Sequence, residues 1–261
     1  MNSKETTNIK EDRHFVTALA RGLEVLACFR PGDKALGNQE IALRCQLPKS
    51  TVSRLTYTLT KLGYLHYIAS QGQYRLGSAT LALGSAMIAR LDVRQLARPL
   101  MQELADFSKG MVSLGMRDRL SMIYIENCRS QNALTLSLDV GSRIPLASTA
   151  MGRALLASMS ATERQTVFDE IEVNQPDLWP ELYAGIEASL NEARETGCCS
   201  SFGEWQSDVN AIALAFSPGA GQATVAINCS GPAFLLSKEF LLNEVRPRLL
   251  QLVRELHGTL R

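Results

Sequence analysis

From Phe15 the apolar residues recur at helical spacing: Phe15, Leu19, Leu23, Leu26 and Phe29 are separated by four, four, three and three positions. Pro31 and Gly32 stop that run. A second, short helix is predicted over Asn38–Cys45, with Asn38 as its N-cap and Ile41 and Ala42 turned inward. Gln46, Leu47 and Pro48 form a turn. A third helix follows, starting near Pro48 or Ser50, with Val52, Leu55, Leu59 and Leu62 as its buried stripe and Gly63 as its stop. Two short β runs, Tyr64–Ile68 and Gln73–Leu76, then flank the glycine-containing loop 69–72, which is a hairpin signal. Helix, helix, turn, helix, hairpin is the order of a winged helix-turn-helix, in which a short turn holds the second and third helices at a large angle.

The helical signal resumes from Leu81 to Phe107. Leu96, Leu100, Leu104 and Phe107 form one stripe, and Pro99 is expected to bend or restart the helix. Farther on, strand-like runs (Met111–Met116, Met122–Asn127, Thr135–Val140, Ala211–Phe216, Ala223–Cys229) mix with helix-like runs (Met151–Ser158, Ala161–Ile171, Leu182–Thr196, Leu235–Leu260). Strands bracketed by helices indicate an α+β or α/β domain around a central sheet. The first dozen residues contain nothing to bury and read as a disordered leader. The expected layout is a leader over 1–13, a winged helix-turn-helix over 14–77, a linker helix over 78–92 and a second domain over 93–261.

Composition narrows the class. A chain of 261 residues is comfortable for two domains, and 46% hydrophobic with 20% charged residues excludes a mostly disordered or fibrous protein. The longest apolar stretch, Ala79–Ala89, is interrupted by Thr80, Gly84 and Ser85 and falls well short of the roughly twenty residues that span a bilayer. Met1–Arg13 lacks the apolar segment of a secretory signal, so the expected location is the cytoplasm, with no membrane partner. Six cysteines without a Cys-x-x-Cys pair argue for thiols rather than a disulfide framework, and three scattered histidines argue against a zinc site. No cofactor is expected.

The net charge of +1 hides an asymmetry. Residues 1–78 hold eleven Lys/Arg against six Asp/Glu, a balance of +5; residues 79–261 hold sixteen against twenty, a balance of −4. With its apolar stripe removed, the third helix exposes Lys49, Ser50, Thr51, Ser53, Arg54, Tyr57 and Lys61 and no acidic residue. A solvated helix face normally mixes both signs, because i,i+4 pairs stabilise it. A basic, hydroxyl-rich face suits phosphate oxygens and base edges. In this motif the N-terminal part of the second helix of the pair enters the major groove, which is where Lys49, Ser50, Thr51, Ser53 and Arg54 fall. Lys61 and the hairpin residues Gln71, Gln73 and Arg75 are placed for backbone contacts. A winged helix used for protein contacts is the bland alternative.

The second domain carries none of the common catalytic signatures: no phosphate-binding Gly-x-x-x-x-Gly-Lys-Ser/Thr loop, no dinucleotide fingerprint and no Gly-x-Ser-x-Gly elbow. His257 is its only histidine and reads as a surface residue near a helix end. Cys198 and Cys199 read as buried structural thiols, with a redox element as the alternative, and Glu204 and Asp208 are candidate paired carboxylates without a partner pattern. A binding role is expected rather than turnover, so the chain is read as a non-enzyme. Pro145–Arg153 runs from a strand end into a helix N-terminus, where free amides favour an anion. Ser200–Trp205 is a polar-aromatic loop, and Asn228–Pro232 closes a strand. Apolar walls with a few convergent polar groups are what a small-molecule pocket needs. Each segment alone also fits an ordinary capping or turn role. Arg143, Arg153 and the nearby hydroxyls point to an organic carboxylate.

These segments together resemble the IclR-type bacterial transcriptional regulators, from about Phe15 to about Leu260. The likeness rests on Ala18–Leu26, on Leu36–Leu55 with its Leu47-Pro48-Lys49-Ser50-Thr51-Val52-Ser53-Arg54-Leu55 core, on Pro145–Ala157 and on Val225–Pro232. The resemblance implies an N-terminal winged helix binding operator DNA as a homodimer or dimer of dimers. It also implies a GAF-like C-terminal domain binding a small organic effector. By position, the family's effector pocket would fall on Leu136, Ile144, Ala150, Met151, Ser201, Ala211, Asn228 and Ser230. The chain departs from the family at Ala147, where many members carry His, at Arg153, where Lys is usual, at Ser201, where some place an acid, and at Ala211, where Cys is frequent. These departures bear on the effector and leave the architecture alone. The expected activity is therefore effector-modulated operator binding, with an enzyme whose larger domain catalyses, or a ligand-independent DNA binder, as the alternatives.

Overall fold

In the computed structural model of the chain, residues 14–30, 32–130, 138–219 and 221–259 are described. The leader over 1–13, the stop at Pro31, the strand expectation over 135–137 and Leu136 lie outside them. The chain divides into two units that meet in sequence at Arg90 and Leu91.

The first unit runs α1 (Thr17–Ala27), β1 (Leu36–Gly37), α2 (Asn38–Cys45), α3 (Lys49–Lys61), β2 (Leu65–Ile68), β3 (Gln73–Leu76) and α4 (Ser78–Ile88). Its antiparallel sheet has the order β1-β3-β2, with Tyr67 opposite Tyr74 and His66 opposite Arg75. The core comprises Val25, Leu36, Ile41, Ala42, Val52, Leu59 and Leu65. The turn between α2 and α3 is tight: Gln46 adopts a left-handed conformation (φ 52°), and the Leu47 amide donates back to the Ala42 carbonyl at 3.1 Å. Gly63 ends α3 as expected. At φ 78° it lets the Tyr64 amide reach the Leu59 carbonyl at 2.9 Å, which satisfies carbonyls left open at the helix end.

Several local expectations are corrected. The N-cap of α2 is Gly37; Asn38 is its first residue, and its side-chain oxygen instead accepts from the Thr56 hydroxyl at 3.2 Å. On α3 the buried stripe is Val52, Thr56 and Leu59, with Leu55 half-buried, while Leu62 is 61% exposed. Thr56 is tolerated inside because its hydroxyl also donates within the helix, 2.9 Å from the Val52 carbonyl. Phe15, Leu19 and Leu23 are exposed, and the residue of α1 that enters the core is Val25. No residue of α4 is buried; Leu81, Leu83 and Met87 are exposed.

The second unit runs α5 (Asp92–Ser108), β4 (Met111–Asp118), β5 (Ser121–Arg129), β6 (Arg143–Pro145), α6 (Ala150–Ser158), α7 (Ala161–Asn174), α8 (Trp179–Thr196), β7 (Cys199–Phe202), β8 (Val209–Phe216), β9 (Val225–Pro232), a short α9 (Lys238–Phe240), a π-helical turn at Leu241–Val245 and α10 (Arg246–Thr259). Six antiparallel strands form one sheet in the order β6-β5-β4-β9-β8-β7. Side chains alternate across it. Ile212, Leu214, Ile227 and Cys229 pack with α5 and α10, whereas Ala211, Ala213, Ala226 and Tyr124 pack with α6, α7 and α8. The fold is thus α+β overall: a helix-turn-helix unit followed by an α/β unit.

The stripe of α5 is shifted from expectation. Its buried face is Val93, Ala97, Met101, Leu104 and Ala105, while Leu96 and Phe107 are exposed. The small alanines let the helix lie close to the sheet, and Phe107 instead stacks on Phe240, with Arg248 over its ring at 3.8 Å. Pro99 sits inside α5 without ending it. Residues 138–140 are not a strand; they enter a turn in which the Ser142 amide donates to the Asp139 carbonyl at 2.8 Å. Among the described residues no helix is long and apolar enough to cross a membrane, and no cluster of His, Cys, Asp and Glu is arranged to hold a metal.

Candidate functional site

Burial of Val52, Thr56 and Leu59 turns the opposite side of α3 to solvent. Lys49, Ser50, Ser53, Arg54, Tyr57 and Lys61 are exposed there and Thr51 is half-buried. The helix begins after Pro48 with no side-chain cap, so among the described residues no side chain caps its first amides. Lys61 lies over the Tyr57 ring, 5.4 Å from its centroid. Among the described residues Lys49, Arg54 and Arg75 form no ion pair. The acids of this unit that flank α2 are engaged elsewhere: Arg44 binds Asp33 at 2.5 Å and Glu40 at 2.6 Å. That guanidinium, with the Arg30 amide, holds the Asp33 carboxyl below its ordinary range. On the hairpin Arg75 is exposed opposite His66, and the Tyr67 and Tyr74 rings pack at 4.9 Å.

In the second unit a small cavity opens where β5, β8 and β9 meet the start of α6. Ile144, Ala150, Ser201, Ala211, Asn228 and Ser230, six of the eight expected positions, line it. Met151 does not; it is buried behind the wall, against Gly115. Tyr124, Thr149, Trp205 and Val209 also line it and were not anticipated. Strand parity could have found Val209, which precedes the expected Ala211 at a spacing of two; no expected position lay on β5 to point to Tyr124.

The position of α6 decides what the cavity offers. Thr149 caps the helix: its hydroxyl accepts from the Gly152 amide at 3.2 Å and donates to the Pro145 carbonyl at 2.7 Å. A Cβ on Gly152 would lie 2.0 Å from the Leu146 carbonyl oxygen, so only glycine allows this close approach. The first turn of α6, whose amides have no intrahelical acceptor, therefore begins at the cavity wall. Among the described residues no charged side chain lines the cavity. This corrects the expectation for two arginines. Arg143 is paired with Asp118. Arg153, 3% exposed, donates to the Ala147 carbonyl at 2.9 Å and binds Glu204 at 2.5 Å. Glu204 is thereby occupied rather than paired with Asp208, and the bond anchors the loop that carries Trp205.

Buried polar atoms converge on the sheet side. Asn228 Oδ1 and Ser230 Oγ line or border the cavity without a hydrogen bond among the described residues, as does Ser113 Oγ on the adjoining strand. The Tyr124 hydroxyl lies beside Ser113 and Asn228, close enough for both to draw its pKa down, though without the geometry of a full hydrogen bond. Burial outweighs them and pushes the phenol up to about 12. The cavity volume is about 20 Å³, which admits a water molecule but no organic acid without movement of its walls. Outside the cavity, His257 packs edge-on against Phe216, and the adjacent Cys198 and Cys199 diverge into the cores on opposite sides of the sheet, burial raising both thiols to about 12.

Residues 18–69 match the IclR helix-turn-helix domain, and residues 85–257 match the bacterial transcriptional regulator IclR C-terminal domain. The HTH-type transcriptional regulator TsaQ1/TsaQ2 of Comamonas testosteroni is 33% identical over 248 residues, covering 94% of this chain and 89% of that protein. An IclR family transcriptional regulator from Brucella abortus has a crystal structure that is 44% identical and superposes with a TM-score of 0.85, covering 96% of this chain and 95% of its own. At 24% identity, an IclR homolog from Microbacterium hydrocarbonoxydans, solved with 4-hydroxybenzoate, shares the fold with a TM-score of 0.70 over 93% of this chain and 97% of its own.

The Tyr124 environment has a measurable consequence. In the unfolded chain the phenol ionises near its ordinary value of about 10. In the folded chain it holds its proton to about 12, so its contribution to stability is complete below pH 10 and is lost as pH rises toward 12. Ultraviolet titration of phenolate should show one late step near pH 12 that is absent from Tyr124→Phe, and the variant's stability should fall less steeply across that window. A late step that survives the substitution would contradict the assignment.

Proposed function

Since the chain belongs to the IclR family of bacterial transcriptional regulators, we propose that it is an effector-responsive regulator that reads operator DNA through α3 and takes a small organic acid into the cavity beside α6. The observation that carries the DNA half is the α3 face: cations and hydroxyls, with no carboxylate on the helix and none paired to Lys49 or Arg54 among the described residues. Lys49, Ser50, Thr51, Ser53 and Arg54 occupy the turns that enter a major groove in this motif, where Lys and Arg donate to guanine acceptors and hydroxyls serve either partner. Tyr57, Lys61 and Arg75 flank them and serve the phosphate backbone. Two half-sites require two recognition helices, hence a homodimer or a dimer of dimers. The exposed apolar residues at and before the start of α1 (Phe15, Val16), along it (Leu19, Leu23) and on α4 (Leu81, Leu83, Met87) favour a second copy of the chain as their cover.

The effector half rests on the neutral cavity. Without an arginine in the wall, a carboxylate would be held by the first-turn amides of α6 with the Thr149 and Ser201 hydroxyls. Asn228 Oδ1, buried and unpartnered, would accept from a ligand hydroxyl, and Tyr124 and Trp205 supply aromatic surface. A hydroxylated aromatic acid meets these requirements, and 4-hydroxybenzoate, the ligand of the Microbacterium protein, is the first probe. Because the cavity must widen, the ligand binds an open arrangement preferentially. A difference in affinity between arrangements is what allows it to shift DNA binding.

Two measurements test this reading. In a gel-shift series on a duplex selected from a random pool, Arg54→Ala should weaken binding by about 1–3 kcal/mol and relax discrimination at one base position. An unchanged footprint removes Arg54 from the reading face. In a thermal-shift panel of hydroxylated and plain aromatic acids, a ligand at about 100 times its dissociation constant should add roughly 2.7 kcal/mol of stability, and Asn228→Leu should lose the preference for the hydroxylated member. No stabilisation by any acid would contradict the effector assignment.

A further inference from the structure

Four of the six cysteines, Cys128, Cys198, Cys199 and Cys229, are buried in the second unit. Cys28 and Cys45 are different: both are half-buried, both lie in the helix-turn-helix unit, and their sulfurs bond to neighbouring carbonyls of α1. Cys28 is the C-cap of α1 and Cys45 the last residue of α2. Their sulfurs sit on adjacent carbonyls of one turn of α1, Cys28 Sγ 3.1 Å from the Val25 oxygen and Cys45 Sγ 3.6 Å from that of Glu24, near enough for each thiol to influence the ionisation of the other. The Arg44 guanidinium beside them, which also holds the Cys28 carbonyl at 3.0 Å, favours thiolate at either sulfur; Glu24 opposes it at Cys45 and Asp33 at Cys28. Only Gln46, Leu47 and Pro48 separate Cys45 from the start of α3.

We propose that Cys28 and Cys45 are a redox-responsive dithiol, at which hydrogen peroxide closes a disulfide between α1 and α2 and so alters the presentation of α3 to DNA. In the first step a Cys45 thiolate attacks one peroxide oxygen. The O–O bond breaks, Cys45 becomes a sulfenic acid, and the departing hydroxide takes up a proton to leave as water. The Cys28 sulfur then attacks the Cys45 sulfur. The S–S bond forms, the S–O bond breaks, and the hydroxide released takes the Cys28 proton, giving a second water. Two thiols are oxidised and one peroxide is reduced to two waters.

Closing the bond brings the sulfurs to about 2.05 Å, which draws the end of α2 toward α1. The next residue, Gln46, already sits in a left-handed turn, and Leu47 is tied back to Ala42, so α3 follows the displacement instead of a flexible loop absorbing it. Burial pushes the Cys28 thiol up to about 12 and raises Cys45 as well. Little thiolate exists at neutral pH, so the pair responds slowly, to sustained oxidant, and faster as pH rises.

The effect on DNA rests on the reading of α3 given above; the chemistry does not. Full-length protein treated with hydrogen peroxide should lose two hydrogens (about 2 Da) by intact mass. Tryptic mapping should then join peptide 22–34 to peptide 45–49. Dithiothreitol should reverse the link, and Cys28→Ser and Cys45→Ser should each prevent it. No link in the unsubstituted protein, or a link confined to other cysteines, overturns the site. On a duplex selected from a random pool by the reduced protein, oxidation should weaken affinity severalfold, dithiothreitol should restore it, and Cys28→Ser should be indifferent to peroxide. A link formed with unchanged affinity overturns the regulatory half. A reduced protein that selects no duplex refutes the α3 reading while the mass result still decides the dithiol.

Discussion

A protein surface that receives a nucleic-acid backbone must not carry charges that repel it. The helix-turn-helix unit meets this condition by omission and by diversion. Omission is seen in α3, which has thirteen residues and no carboxylate. Diversion is seen at Arg44, which takes up both Asp33 and Glu40 on the α2 side and so keeps them from neutralising the cations of α3. The cost of an uncompensated basic face is self-repulsion, and α3 limits it by spacing: Lys49, Arg54 and Lys61 are five and seven residues apart, beyond the i,i+4 neighbourhood. What holds the helix in place is apolar burial of Val52 and Leu59 against Val25, Ile41 and Leu65, so charge and packing are divided between opposite faces of one helix.

The second unit uses the inverse arrangement. Charge is present near the cavity but is consumed before it reaches the wall: Arg153 by Glu204, Arg143 by Asp118. The wall keeps dipoles only, namely a helix start, hydroxyls, an amide and a phenol that burial keeps neutral. A site of this kind selects by hydrogen-bond geometry more than by net charge, since an unsatisfied buried acceptor such as Asn228 Oδ1 penalises any ligand that fails to donate to it. The Arg153–Glu204 bond also ties the loop bearing Trp205 to α6.

Much of this was legible in the chain. Helical periodicity located α2 and α3, and Gly63 marked the end of α3, because these signals are local. The two-residue β1 and the short edge strand β7 were not, since pairing with a distant strand rather than local pattern defines them, whereas the end of β6 was read at Pro145. On α3 the apolar rule placed Leu62 inward and overlooked Thr56, whose hydroxyl is silenced by the Val52 carbonyl. On α5 it chose leucines where the sheet accepts alanines. The cavity positions came from family resemblance; strand alternation from Ala211 explains the added Val209, while nothing expected on β5 signalled Tyr124. The arginines were misjudged because Asp118 and Glu204 lie 25 and 51 residues from them, a distance at which no sequence spacing signals an ion pair.

The amino-terminal unit presents cations that, among the described residues, no carboxylate neutralises, and on the reading proposed above these cations hold DNA. The most direct test is the affinity of the full-length protein for duplex DNA across a series of salt concentrations. If Lys49, Arg54, Lys61 and Arg75 displace counterions from phosphates, the logarithm of affinity falls linearly with the logarithm of salt, by about 0.9 per phosphate neutralised, and the slope becomes shallower when these residues are replaced by glutamine. An affinity that does not change with salt, or a slope unaltered in the substituted protein, would contradict it.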